Sequence, residues 1–171
     1  MTAHLVCFVP LSIQAVAMGF DELHFHRRRG LGRWERLGHP LDTLTLLACL
    51  VWILAVPASK RSALVYAALA TLSCLFITKD EFVHTKTCGP AEHWLHALLF
   101  VVHPVVLLTY AWLWPSLHGA SPSPWDAWAA APSPSFAGNV VWTAFAASAG
   151  FCVYQLTYWN GPWTPRARPT T

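Results

Sequence analysis

Two short stretches of this sequence place acids a helical turn ahead of histidine. Phe20-Asp21-Glu22-Leu23-His24-Phe25-His26 is the first, and Lys79-Asp80-Glu81-Phe82-Val83-His84 is the second. On a helix, Glu22 and His26 share a face at i,i+4, as do Asp80 and His84, while Glu81 and His84 pair at i,i+3. Two further stretches carry i,i+3 pairs, HxxD in His39-Pro40-Leu41-Asp42 and HxxH in Glu92-His93-Trp94-Leu95-His96. His103 lies seven residues beyond His96, on the same helix face about 10 Å further along at 1.5 Å per residue. Imidazoles and carboxylates together are the donor set of Fe, Zn or Mn, and no clustered thiolates accompany them.

The rest of the chain says what must position these groups. Of 171 residues, 55% are hydrophobic and only 11% are Asp, Glu, Lys or Arg, against about 25% charged in a soluble domain. The mean hydropathy is +0.41. This composition excludes a disordered chain, a basic nucleic-acid-binding domain and a soluble globule. It predicts an all-α, polytopic membrane bundle in one domain. Five spans are expected near residues 5–26, 41–58, 62–84, 93–114 and 139–159, followed by an unstructured tail at 161–171. The apolar cores of the first three are shorter than the ~20 residues that cross a bilayer. Their helices must therefore run on into the acid- and histidine-bearing flanks.

Orientation follows from the basic residues. Arg27, Arg28, Arg29, Arg33, Arg36, Lys79, Lys86, Arg166 and Arg168 fall on one side, and only Lys60 and Arg61 on the other. That puts the N-terminus outside and the C-terminus in the cytoplasm, in a bacterial inner (plasma) membrane. The stretch Pro115–Phe136 becomes an external loop, with Trp125 and Trp128 at the interface. His24, His26, His39, His84, His93, His96 and all acids but Asp126 then collect at the cytoplasmic ends of the first four spans. The first two spans and the next two read as hairpin repeats, and the fifth is an extra helix. Its small-residue run Ala144–Gly150 permits close helix packing.

Taken singly, each feature has an ordinary structural use. Asp42 suits the macrodipole of an opening turn, and His39-Pro40 suits a cap with proline at the first turn. The run Arg27–Arg29 suits a topology signal. The five cysteines are scattered, and Cys88 alone lies among the histidines. His103, in an apolar helix, is either functional or held by an interhelical hydrogen bond. Taken together, the acids and histidines are expensive near a bilayer unless they pair or bind a cation. The expected metal ligands are Glu22, His26, His39, Asp42, Asp80, His84, His93 and His96. Asp21, His24, Glu81, Glu92 and His103 are expected in supporting positions around them.

In layout, residues 1–114 resemble the membrane fatty-acid desaturases and hydroxylases, whose histidine boxes sit at the cytoplasmic ends of about four helices around two irons. Their HxxxH and HxxHH boxes do not occur here, and His93-Trp94-Leu95-His96 supplies only HxxH. The resemblance implies a di-iron-type oxidoreductase acting on a lipid-like substrate, with iron favoured and zinc the other candidate. The expected partners are membrane lipids, that substrate and an unspecified electron donor or partner protein, with no nucleic acid. The alternatives from the residues are a zinc-dependent membrane hydrolase, with an acid such as Glu92 as base, and a metal carrier, sensor or assembly factor without turnover. Haem ligation, which needs facing histidines at depth, is the weakest option.

Overall fold

Five helical stretches of this chain are long and apolar enough to cross a membrane: His4–Arg29, Arg33–Ala55, Lys60–Lys79, Pro90–Leu117 and Pro134–Asn160. The computed structural model describes residues 3–119 and 132–161, apart from the side chains of Ala3, Asp80, Val83, Lys86 and Thr87. Among the described residues there is no strand. The expected interfacial Trp125 and Trp128, and the tail beyond Gly161, lie outside the described residues.

The first span begins as α1 (Ala3–Phe20), widens into a π-helical turn over Asp21–His26, and closes with α2 (Arg27–Arg29). Gly30 then reverses the chain at φ 74° and ψ 156°, a conformation essentially reserved for glycine. Two residues later Gly32 caps α3 (Arg33–Ala55), its N–H bonded to Glu35 Oε2 at 2.9 Å. The second span therefore starts well before Leu41. Pro40 lies inside α3 rather than in its first turn, and Asp42 is not near the helix start. Pro40 has no N–H for the carbonyl of Arg36; Asn160 Nδ2 donates to that oxygen instead, at 3.2 Å.

The third span is not one continuous helix to His84. It runs as α4 (Lys60–Phe76), tightens to a 3₁₀ turn over Ile77–Asp80, and restarts as α5 (Glu81–Thr87). The fourth, α6 (Pro90–Leu117), opens on proline and carries Glu92 in its first turn. It continues through Pro115, so the expected external loop starts only after it. The fifth is α7 (Pro134–Asn160), capped by the Ser133 hydroxyl.

α3 packs between α4 and α7, and α6 lies against α1, α7 and α3. Cys49, Leu50, Ile53, Val106, Leu113 and Val141 form the centre of the core. Outward-facing positions are apolar as well, with Leu64 74% and Val16 71% exposed, as a lipid-facing surface requires. At the end remote from the acids, the last carbonyls of α3 are satisfied by α6. His118 Nε2 donates to Ile53 O and Trp114 Nε1 to Val56 O, both at 2.7 Å. Midway along the bundle Ser73 joins Thr45 to His103 Nε2, at 2.9 Å on each side.

Candidate metal centre

Four imidazoles meet at one end of the bundle. Ring centroids are 4.7 Å apart for His26 and His39, 6.1 Å for His39 and His84, 4.3 Å for His84 and His96, and 6.5 Å for His96 and His26. They come from the π-turn, α3, α5 and α6, so no single element could form the site. His26, His84 and His96 are buried.

The carboxylates are interleaved with them. His26 Nε2 is 3.2 Å from Asp21 Oδ2 and 3.9 Å from Glu92 Oε1. His96 Nε2 is 3.3 Å from both oxygens of Asp21. His84 Nε2 is 3.3 Å from Glu35 Oε1. Two groupings could each hold an ion, Asp21–His26–Glu92–His96 and Glu35–His39–His84; in each, the ligand atoms lie within 4.8 Å of one another. A third, His84–Cys88–His96, shares two histidines with them.

The π-turn has a direct role in this arrangement. Its i→i+5 spacing, wider than that of an α-turn, places Asp21 against one nitrogen of His26 while Glu22, four residues before His26, reaches the other. His26 Nδ1 donates to Glu22 Oε2 at 3.2 Å. Glu22 Oε1 in turn accepts the Tyr154 hydroxyl and, at 3.0 Å, Trp159 Nε1. Glu22 therefore stands behind His26, holding its ring, rather than in either grouping. This is the familiar carboxylate-to-imidazole support of a metal ligand.

Arg29 braces the other side. Its guanidinium bonds both oxygens of Glu35, one at 3.0 Å, and Glu92 Oε1 at 3.0 and 3.1 Å, and its Nη2 lies 3.7 Å from Cys88 Sγ. Of the four buried carboxylates, Asp21, Glu22, Glu35 and Glu92, this arginine thus reaches two, Glu35 and Glu92. Buried acids in such excess need further positive charge.

The donor atoms fit a metal on a second ground. His26 Nε2, both ring nitrogens of His84 and His96 Nδ1 are buried and, among the described residues, have no hydrogen-bond partner. The close approaches of His26 Nε2 and His84 Nε2 to carboxylate oxygens are thus off the hydrogen-bond direction. Buried polar atoms are rarely left this way. Separations of about 3 Å between N and O donors also match two ligands of one ion with bonds near 2.1 Å.

Other expected ligands are placed elsewhere. His93 is half-buried beside Glu81, 3.6 Å away, and His24 stacks on Phe20 and contacts Arg28. Asp42 accepts from Lys79 Nζ at 2.7 Å, with His39 Nδ1 3.9 Å distant. His103 is engaged by Ser73, well removed from both groupings. The side chain of Asp80 is not described. Glu35, Arg29, Tyr154 and Trp159 carry no local sequence pattern that marks them as part of a site. Only the x-Glu pattern three residues after Gly32 hinted at Glu35, and as a helix cap rather than a ligand.

A cavity of about 820 Å³ leads away from this cluster through the bundle. Its near end is formed by Asp21, His26, His84 and His96, and its far end by Phe8 and Phe136. The fourteen residues from Phe8 to Glu22 give it a length of about 21 Å. Ala144, Ala147 and Ser148 of the small-residue run line it. Small side chains there leave space instead of closing two helices together.

No family model matches this chain, and neither a curated protein nor a solved structure matches it. The His, Asp and Glu groups that could hold metal therefore stand on their own geometry.

Proposed function

We propose that this membrane protein holds two transition-metal ions, with iron favoured, and acts as a di-iron-type oxidoreductase of the hydroxylase or desaturase kind on a lipid-like substrate. The observation that carries the reading is the pair of adjoining His/carboxylate groupings opening into one long cavity. Asp21, His26, Glu92 and His96 would hold one ion, and Glu35, His39 and His84 the other. Glu22 holds His26, and Arg29 holds Glu35 and Glu92. Bound there, the ions would supply oxygen activation, with electrons from an external donor.

The chain's own contribution is positioning and exclusion. Carboxylate-supported imidazoles keep their free nitrogens turned inward, and the cavity walls of Phe8, Leu11, Met18, Leu46 and Phe100 exclude water from a bound chain. The basic loops favour a cluster facing the cytoplasm. A thiol reagent confined to the outside of intact cells should then leave Cys88 unlabelled, and labelling would invert the topology.

A second reading has a specific observation behind it. His84, Cys88 and His96 form a nitrogen–sulfur trio suited to zinc with an open fourth position. One zinc, with a polarised water, would make a hydrolase. Metal analysis of protein purified in mild detergent separates the two: about two irons per chain with visible absorption supports the oxidoreductase, and one colourless zinc supports the hydrolase. A protein that takes up no metal, yet folds unchanged when His26 and His96 are replaced by alanine, overturns both.

A further inference from the structure

Gln14 is buried, its Oε1 has no hydrogen-bond partner among the described residues, and it lines the apolar cavity. It stands seven residues before Asp21 on α1. His103 stands seven residues beyond His96 on α6, and His96 touches Asp21. The two helices run in opposite directions, so Gln14 and His103 lie at one level, about 10 Å from the cluster. Ser148 lies near that level on α7, six residues before Tyr154, whose hydroxyl reaches Glu22. All three line the cavity. The lining is mostly apolar, with Ser12, Asn139 and Thr143 as polar side chains toward the far end, and among its polar groups the buried Gln14 amide oxygen is left without a donor among the described residues.

α1 and α7 frame this space in an unusual way. The first span and α7 touch through side chains at both ends, His4 of α1 on Phe136 at a centroid distance of 4.7 Å and Tyr154 on Glu22 of the π-turn. Between those points their backbones stay apart, and Ala147 and Ser148 fill little of the gap. An open seam in a lipid-facing wall admits a ligand sideways from the bilayer.

We propose that the cavity binds a single long alkyl chain that carries a hydrogen-bond donor, a hydroxyl or amide N–H, about 10 Å from the carbon at the metal cluster, and that Gln14 accepts that bond. The chain enters through the seam between α1 and α7. This names the substrate class for the function proposed above and rests on it only for the reacting end. Filling the cavity with plain hydrocarbon would leave Gln14 Oε1 unsatisfied, whereas a mid-chain donor removes that penalty.

The test measures binding of two deuterated probes to the protein in nanodiscs by mass spectrometry: a long-chain secondary alcohol with its hydroxyl at mid-chain and the unsubstituted alkane of equal length. The alcohol should bind about tenfold more tightly, the factor set by leaving one buried polar group unsatisfied. Gln14→Leu should abolish that preference while retaining the alkane. Ala147→Trp, which blocks the seam, should exclude both probes and leave metal content unchanged. Equal binding of both probes to the unaltered protein, or binding of neither, overturns the proposal without any variant. The same measurement on the His26→Ala/His96→Ala protein separates the two readings. A preserved preference with metal lost in that variant supports the chain site alone, and metal bound by the unaltered protein without any preference for the alcohol supports the metal centre alone.

Discussion

Glu22 accepts a hydrogen bond from His26 Nδ1 at 3.2 Å across a single widened helical turn. The bond fixes which imidazole nitrogen faces the cluster, because the proton on Nδ1 leaves Nε2 as the donor atom. Glu22→Gln preserves the shape and removes the charge. Metal affinity should fall between about 10- and 100-fold, as for other partners that orient a metal-bound histidine. Metal retained after a graded chelator challenge measures it, and Tyr154→Phe should move it in the same direction by less.

Histidines close in sequence should differ sharply in consequence. His26→Ala, His84→Ala and His96→Ala remove buried nitrogens from the groupings and should each lower metal content. His24→Ala and His93→Ala, whose rings stack on Phe20 or face Glu81, should leave it within error. Elemental analysis of the five purified variants gives the answer directly. Equal loss from all five would point to unfolding, which circular dichroism would reveal.

Arg29 is the sole guanidinium on Glu35 and Glu92 among the described residues. Arg29→Met leaves two buried carboxylates short of positive charge, and removing one partner of a buried ion pair costs about 3 kcal/mol. The loss should be greater in metal-depleted protein than in metal-loaded protein, since bound cations replace part of the missing charge. Paired denaturation curves in detergent, with and without metal, would show the difference.

The Gly30 turn should tolerate no side chain. At φ 74° and ψ 156°, Gly30→Ala places a Cβ where L-residues do not go, at a cost of order 1–3 kcal/mol. Leu31, buried beside it, and the cap at Gly32 would shift with it. A lower thermal midpoint together with reduced metal uptake is the expected result.

Ser73→Ala, by contrast, should affect stability alone. It leaves His103 Nε2 and the Thr45 hydroxyl without their shared partner, a loss of about 1 kcal/mol. Metal content should not change.

The helical class and the five spans were readable because apolar runs of that length have few other uses. The gathering of His26, His39, His84 and His96 was also anticipated from the flanks of the short runs. Glu35 was not, because Arg33 and Arg36 around it read as a loop. Glu35 lies inside α3, since the glycine turn lets the helix begin early. His93 and His24 lie outside both groupings for a different reason. Spacing gives a shared face, not which face turns inward: the π-turn resets that angle for His24, and on α6 it is His96 rather than His93 that is buried toward the cluster. Tyr154 and Trp159 reach Glu22 across more than 130 residues, a relationship no local pattern carries.

The donors of the Asp21–His26–Glu92–His96 grouping are split between the first and fourth spans, and those of Glu35–His39–His84 between the second span and α5. During synthesis neither binding point is complete until the later segments have entered the membrane. The last span, α7, then places Tyr154 and Trp159 on Glu22. On the proposed reading, metal loading would follow membrane insertion, and a chain stopped after its fourth span would lack the two bonds from α7 that hold Glu22 behind His26. The fifth span would then act as a latch on that centre.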